Sequence, residues 1–89
     1  MARIDTEDLR DAELIFVAAK LRTAQQAEEH LTRAGVEYAV EVEPIGRTLL
    51  FRRIRMGAAF YVSASLASHC REQLTVAGLG AGVVEREEP

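Results

Sequence analysis

Residues 31–35 read Leu-Thr-Arg-Ala-Gly, and residues 74–78, which lie 43 positions later, read Leu-Thr-Val-Ala-Gly. With this shift, seven of the 17 positions from Ala24 to Val40 are identical to their counterparts. Each copy has apolar residues at helical spacing, followed by a glycine that can end a helix in the left-handed conformation. The repeat therefore predicts two β-α-β halves, which is what the split β-α-β (ferredoxin-like) fold requires.

The first half is predicted to contain a strand, a helix and a second strand. The continuous apolar run Leu14–Ala18 is typical of a central strand buried on both faces. Thr23, with Gln26 three residues later, predicts a capped helix start, and Gly35 predicts the helix end. Val36–Glu43 alternates between apolar and charged residues, which indicates a strand near a sheet edge with one wet face.

The second half is predicted to repeat this order after a turn at Pro44–Arg47. Thr48–Val62 is strand-like and is either one strand with a bulge at Gly57 or two short strands. A helix over Ser65–Ala77 presents an apolar stripe and ends at Gly78. Ala81–Arg86 is the last predicted strand.

These elements predict an α+β fold, a ferredoxin-like βαββαβ plait with a four-stranded antiparallel sheet and two helices on one face. Residues 13–86 form this single domain. Residues 1–12, which are rich in Asp and Glu, are expected to be a flexible acidic arm, and residues 87–89 are expected to fray.

Composition limits the classes of function. The chain has 89 residues and a formal net charge of −3, which argues against general nucleic-acid binding. Its single cysteine, Cys70, cannot form an intramolecular disulfide and favours a reducing compartment. No signal peptide or membrane-spanning run is apparent, so a cytoplasmic protein without membrane contact is expected.

The residues typical of catalytic and metal sites are not arranged as such sites. His69 and Cys70 are neighbours and point about 100° apart on a helix, so they cannot share a metal. Cys70 lies on the apolar stripe and is expected to be a buried, inert thiol. Gly78, Gly80 and Gly82 follow a helix and precede a strand, the reverse of a dinucleotide-binding loop. We therefore predict no catalytic residue, no metal site and no cofactor.

Two groups of basic residues are candidate ligand-binding positions. Lys20, Arg22 and Thr23 stand where the first strand enters the first helix, and a helix N-terminus attracts anions. The second group follows the predicted turn and comprises Arg47, Arg52, Arg53 and Arg55. These arginines either pair with Glu37, Glu41 and Glu43 across adjacent strands or form an anion site or a charged dimer surface.

Two families share features with this chain. Ile15-Phe16-Val17 and Gly57-Ala58-Ala59-Phe60 resemble the signature strands of the RNA recognition motif, although Ala58 and Ser63 replace two of its stacking aromatics. Phe16 and Phe60 are therefore better explained as core residues. The stronger resemblance, over roughly 14–84, is to the prokaryotic signal-transducing family of small plait domains. It is carried by Ile15–Ala18, Ala34-Gly35-Val36 and Phe60-Tyr61-Val62, and it implies a regulatory or binding role.

Together these features predict a small regulatory or binding module rather than an enzyme. It would recognise an anionic small molecule or a protein partner. A homodimer through the open sheet face or an edge strand is expected, because a second copy could cover that face. An RNA-binding domain and a small dimeric plait enzyme are the two alternatives.

Overall fold

The computed structural model describes residues 3–48 and 53–85 and has an α+β fold. Strand β1 spans Ala12–Ala18, helix α1 Leu21–Arg33, strand β2 Ala39–Thr48, strand β3 Arg53–Ser63 and helix α2 Ala64–Leu74. The three strands form an antiparallel sheet in the order β1-β3-β2. No helix among the described residues is long and apolar enough to cross a membrane.

Both helices pack on one face of the sheet and share one core. A bulge between Leu14 and Phe16 allows two successive side chains, Ile15 and Phe16, to enter this core. Phe60 of β3 contacts the ring of Phe16 edge to face, with ring centroids 5.7 Å apart. The helices add small and aliphatic side chains, among them Ala24, Ala27, Leu31, Ala67, Cys70 and Leu74.

The two repeated segments each contain a glycine with a positive φ after the helix. Gly35 has φ +72 after α1, and Gly78 has φ +88 at a kink within the segment Thr75–Leu79 that follows α2. Glycine adopts this region without strain, and the predicted end of α1 at Gly35 is confirmed. The predicted end of the second helix at Ala77 is wrong, because α2 ends at Leu74 and the chain kinks at Gly78. The predicted start of α1 is wrong: the N-cap is Lys20, and Thr23 lies inside the first turn. Only Ala19 and Lys20 connect β1 to α1, and Leu21 and Arg22 are good helix formers.

The middle of the chain is one long hairpin. The predicted turn at Pro44–Arg47 is wrong, because β2 continues to Thr48 through a bulge between Pro44 and Gly46. β3 is a single strand from Arg53, and Gly57 pairs with Glu43. β2 is an edge strand of the described sheet, as predicted, but β1, which was predicted to be central, is the other edge strand and β3 lies between them.

The fourth strand predicted over Ala81–Arg86 is not formed in the described residues. Gly80–Gly82 forms a short 3₁₀ turn, and the chain reaches β1 only through a bridge from Val83 to Phe16 and a 2.8 Å hydrogen bond from Val84 N to Ile15 O. Glycine-rich segments are poor strand formers. Gly82 is also confined: a Cβ there would lie 2.6 Å from Phe16 Cε1.

Arg71 fastens this C-terminal segment to β1. Its Nε donates to Val84 O at 2.6 Å, Nη2 donates to Leu14 O at 2.7 Å, and Nη1 pairs with Glu13 Oε2 at 2.7 Å. Arg71 is buried although it lies on α2 outside the predicted apolar stripe. One guanidinium therefore joins α2, β1 and the chain end.

The N-terminal segment lies along β2, at the sheet edge opposite the one that the C-terminal segment contacts. Arg3 forms a parallel bridge with Tyr38, and Ile4 N donates to Tyr38 O at 2.7 Å. Thr6, in the 3₁₀ turn Thr6–Asp8, donates to Glu41 Oε1 at 3.0 Å. Leu9 is buried although it does not belong to the main core cluster.

Candidate binding site

The hairpin of β2 and β3 extends beyond the rest of the sheet. β1 ends at Ala18, which is opposite Ala58 of β3, and Ala58 is opposite Val42 of β2. Past this point, Glu43–Thr48 and Arg53–Gly57 pair with each other; we call these two segments the ribbon. Five residues at about 3.3 Å each make the ribbon roughly 17 Å long.

An apolar groove of about 140 Å³ lies at the base of the ribbon on the helix side. Three large side chains in its wall are exposed: Leu21 at 76%, Val42 at 70% and Met56 at 52%. We call this feature the ribbon groove. Val42 continues the apolar alternation predicted for this strand, but it lies beyond the part of β2 that the helices bury and is exposed.

Lys20 also lines the ribbon groove, at the start of α1. The first intrahelical bond is from Ala24 N to Lys20 O at 3.0 Å, and no described side chain caps the helix there. The N–H groups of the first turn point out of the helix, where the dipole favours negative charge. Arg22 is exposed and Thr23 half-buried, and neither lines the groove.

The candidate arginines are placed in the ribbon by its backbone register. Arg55 is opposite Gly46, Arg47 is opposite Ile54 and Arg53 is opposite Thr48. Arg52 lies outside the described residues. The backbone of Arg55 is two residues, about 7 Å, from Gly57 in the groove wall. The structure thus brings Lys20 and the arginine-bearing strands to the same end of the sheet.

The register places none of the three glutamates directly opposite a described arginine of the hairpin. Glu41 is opposite Ala59 and Glu43 is opposite Gly57, whereas Glu37 precedes β2. The bulge at Pro44 and the absence of a turn there move the arginines outward along the hairpin. In the sequence, no Asp or Glu occurs between Glu43 and Glu72, so the ribbon segments beyond Glu43 carry only basic ionisable residues.

The residues that resemble the RNA recognition motif are in the core. The side chains of Phe16 and Phe60 are fully buried beneath the helices, and Tyr38 stacks on Phe60 with ring centroids 6.0 Å apart. Their assignment as core residues is confirmed. Bases bind that family by stacking on exposed rings, and these two rings are enclosed.

The histidines and the cysteine lie between the helices. His30 and His69 are exposed at the rim of a small cleft, and Cys70 in its wall is buried, which raises the pKa of its thiol. Burial disfavours the reactive thiolate, as expected from the position of Cys70 on the stripe. Within residues 3–48 and 53–85, no three side chains of the metal-binding types form a group that could hold an ion.

Sequence reasoning named Lys20 and the arginines as candidates, and these stay predictions; it did not name the apolar side chains of the groove. One signal could have revealed them. The apolar run of β1 is short, whereas the strand-like pattern from residue 36 to residue 62 is much longer, so a hairpin must extend past β1. No protein-family model, curated protein or solved structure shows significant similarity to this chain.

Proposed function

We propose that this chain is a small binding module, not an enzyme, that recognises an acidic protein segment carrying an apolar anchor residue. The ribbon groove carries the proposal, because Leu21, Val42 and Met56 meet there while exposed to solvent. Full burial of one such side chain is worth about 1.5–3 kcal/mol, so a partner that covers them gains affinity.

The architecture of the ribbon supports a partner of this kind. Among the described residues, the ribbon strands pair with each other and continue past the end of β1. A two-stranded ribbon without a packing layer is marginally stable in water. A bound protein segment would supply the missing layer and would be stabilised by the same contact.

The charge of this end of the molecule selects an acidic partner. Lys20 lines the groove, and the sequence from Pro44 to Arg71 contains arginines but no Asp or Glu. Opposite charge accelerates association and fixes the orientation of a partner, and both effects weaken as salt rises. We therefore propose that carboxylates flank the apolar anchor.

We also propose that the fold is a ferredoxin-like plait whose fourth strand is reduced to the Val83 bridge. In that fold the last strand lies beside the first, and Val83 pairs on the side of β1 opposite β3. A regulatory role of the signal-transducing type, as the sequence resemblance implies, fits a binding module without catalytic residues.

Binding of a fluorescent peptide tests the proposal. The probe alternates Glu with Leu, and its control alternates Glu with Ser. We expect the Glu-Leu probe to bind and the Glu-Ser control not to bind. Val42→Asp should raise the Kd of the Glu-Leu probe at least tenfold, and Val76→Asp should leave this Kd unchanged. Val76 is a matched control because it is also exposed, at 80%, but lies away from the groove.

Two results would count against this function. Equal loss of affinity in the Val42 and Val76 variants would show that the groove is not the site. Binding of inorganic phosphate that depends on Lys20 and is unaffected by Val42→Asp would favour the anionic small-molecule function instead.

A further inference from the structure

A second surface of the molecule is complementary to the ribbon. The N-terminal segment and the adjoining part of β2 enclose an open concavity of about 610 Å³, lined by Arg3, Ile4, Asp5, Thr6, Glu7, Val40 and Glu41. Arg3 lies 3.5 Å from Glu28, so its charge is partly compensated there. Asp5, Glu7 and Glu41 leave the surface acidic; we call it the acidic concavity. Its apolar members, Ile4 and Val40, are half-buried.

The backbone of Arg47 in the ribbon is distant from the acidic concavity of its own molecule. Both lie along β2, with Val40 and Glu41 at one end and Arg47 near the other. Six to seven residues of extended chain separate them by about 20 Å. The Debye length in physiological salt is about 8 Å, so charges at this separation are largely screened within one molecule.

Two molecules arranged antiparallel would match both surfaces at once. We infer, resting on the proposed function, that the partner of the ribbon is a second copy of this chain, with the two β2 strands antiparallel and each ribbon directed at the N-terminal segment of the other copy. Each ribbon then meets the partner's acidic concavity, and one two-fold axis satisfies both contacts. Such an isologous arrangement closes as a dimer and does not extend into a fibre.

The exposed side chain of Val42 would lie near the centre of this arrangement, on the face of β2 opposite Glu43. The midpoint between the acidic concavity and the arginine positions lies near Glu43 and Pro44, close to Val42. Interfaces gain most of their energy from such central, desolvated side chains, and charges at the rim set orientation and rate. The bulge at Pro44 interrupts the regular edge of β2, so the contact is made by side chains and not by a continuous ladder.

Sedimentation equilibrium with complementary charge reversals tests the inference. The ribbon variant carries Arg53→Glu and Arg55→Glu, and the concavity variant carries Asp5→Arg and Glu7→Arg. We expect the 9.8 kDa chain to sediment as a dimer. The dimer dissociation constant of each variant alone should be at least 100-fold higher than that of the wild type, because both symmetry-related contacts become repulsive. An equimolar mixture should form a heterodimer, because both contacts are again attractive.

A charge-matched control separates the specific contact from general attraction. Glu29→Arg with Glu72→Arg gives the same net charge as the concavity variant, but both positions are exposed on the helices. The control keeps both proposed contact surfaces, so alone it should sediment as a dimer like the wild type. In a mixture it should not form a heterodimer with the ribbon variant, because one of the two contacts would bring acidic side chains together. Circular dichroism shows whether each variant is folded. If a charge-reversal variant is unfolded, Val42→Asp takes its place, because this substitution should also weaken the dimer.

Three results would overturn the inference: a monomeric wild-type chain at 100 µM, a dimer unaffected by the reversals, or a heterodimer formed equally well with the control. The peptide experiment distinguishes the two proposals. A monomeric chain that binds the Glu-Leu probe through Val42 would refute the dimer alone, whereas a monomer that does not bind the probe would refute both.

Discussion

Replacing Arg71 by alanine should be among the most destabilising single substitutions on α2. The guanidinium donates to two backbone carbonyls, Leu14 O and Val84 O, and pairs with Glu13, all within 2.7 Å. Removing one partner of a buried ion pair typically costs about 3–5 kcal/mol, because the other partner stays desolvated. Since Glu13 retains about a fifth of its side-chain exposure, water can partly solvate it, and we expect about 3 kcal/mol.

Arg33→Ala is the matched control. Arg33 is also a helical arginine paired with a glutamate, Glu29, but both side chains are mostly exposed. An exposed pair four residues apart contributes about 0.3–0.5 kcal/mol. In a domain of this size, 1 kcal/mol corresponds to about 4–8 °C in Tm, so Arg71→Ala should lower Tm by roughly 12–24 °C and Arg33→Ala by less than about 4 °C.

Urea denaturation followed by circular dichroism measures both free energies, and Arg71→Lys adds a second comparison. Lysine keeps the positive charge but cannot reproduce the planar set of donors, so this variant should recover only part of the loss. If Arg71→Ala and Arg33→Ala differ by less than about 1 kcal/mol, the three contacts do not fasten the chain end as argued.

Three further measurements test other parts of the structure. Gly82→Ala should lower the unfolding free energy by about 1–3 kcal/mol, because the added Cβ would overlap the buried ring of Phe16 and the carbonyl of Val17. Gly80→Ala is the control and should change it by less than about 0.5 kcal/mol, because the nearest atom to its added Cβ is 3.5 Å away. Cys70 should resist a thiol reagent at neutral pH in the native protein and react in urea; rapid native labelling would contradict its burial. Burial raises the pKa values of Tyr38 and Tyr61, so the folded state holds both phenol protons more tightly than the unfolded state. The contribution of these two tyrosines to the unfolding free energy should be fully present below about pH 10 and should decline as the pH rises through their raised pKa values. Urea denaturation midpoints that stay constant between pH 8 and 11 would refute this.

The parts of the fold that follow local rules could be predicted from the sequence. Gly35 follows the end of α1 and Gly78 kinks the chain after α2; both have a positive φ, and a glycine after an apolar stripe indicates this directly. The core assignment of Phe16, Phe60 and Cys70 followed from their place in apolar patterns. These features depend on a residue and its near neighbours in the chain.

The features that were missed depend on where distant elements end. Val42 continues a correct apolar alternation, but whether it is covered depends on the length of the helices above it. The fourth strand has a plausible composition, but the 3₁₀ turn at Gly80–Gly82 uses the residues that would have paired. Pro44 and Gly46 are typical turn residues, and they instead flank a bulge because the strand partners continue on both sides.

The length of β3 has a consequence for how the native state opens. At Phe60, the strand is paired on both sides and lies in the core, whereas at Arg55 its described pairing is with β2 alone. Amide protons near Phe60 should exchange with solvent only on global unfolding, while those near Arg55 need a local opening of low free energy. One continuous strand should therefore span two cooperative units, with hydrogen-exchange protection decreasing from the core toward the ribbon.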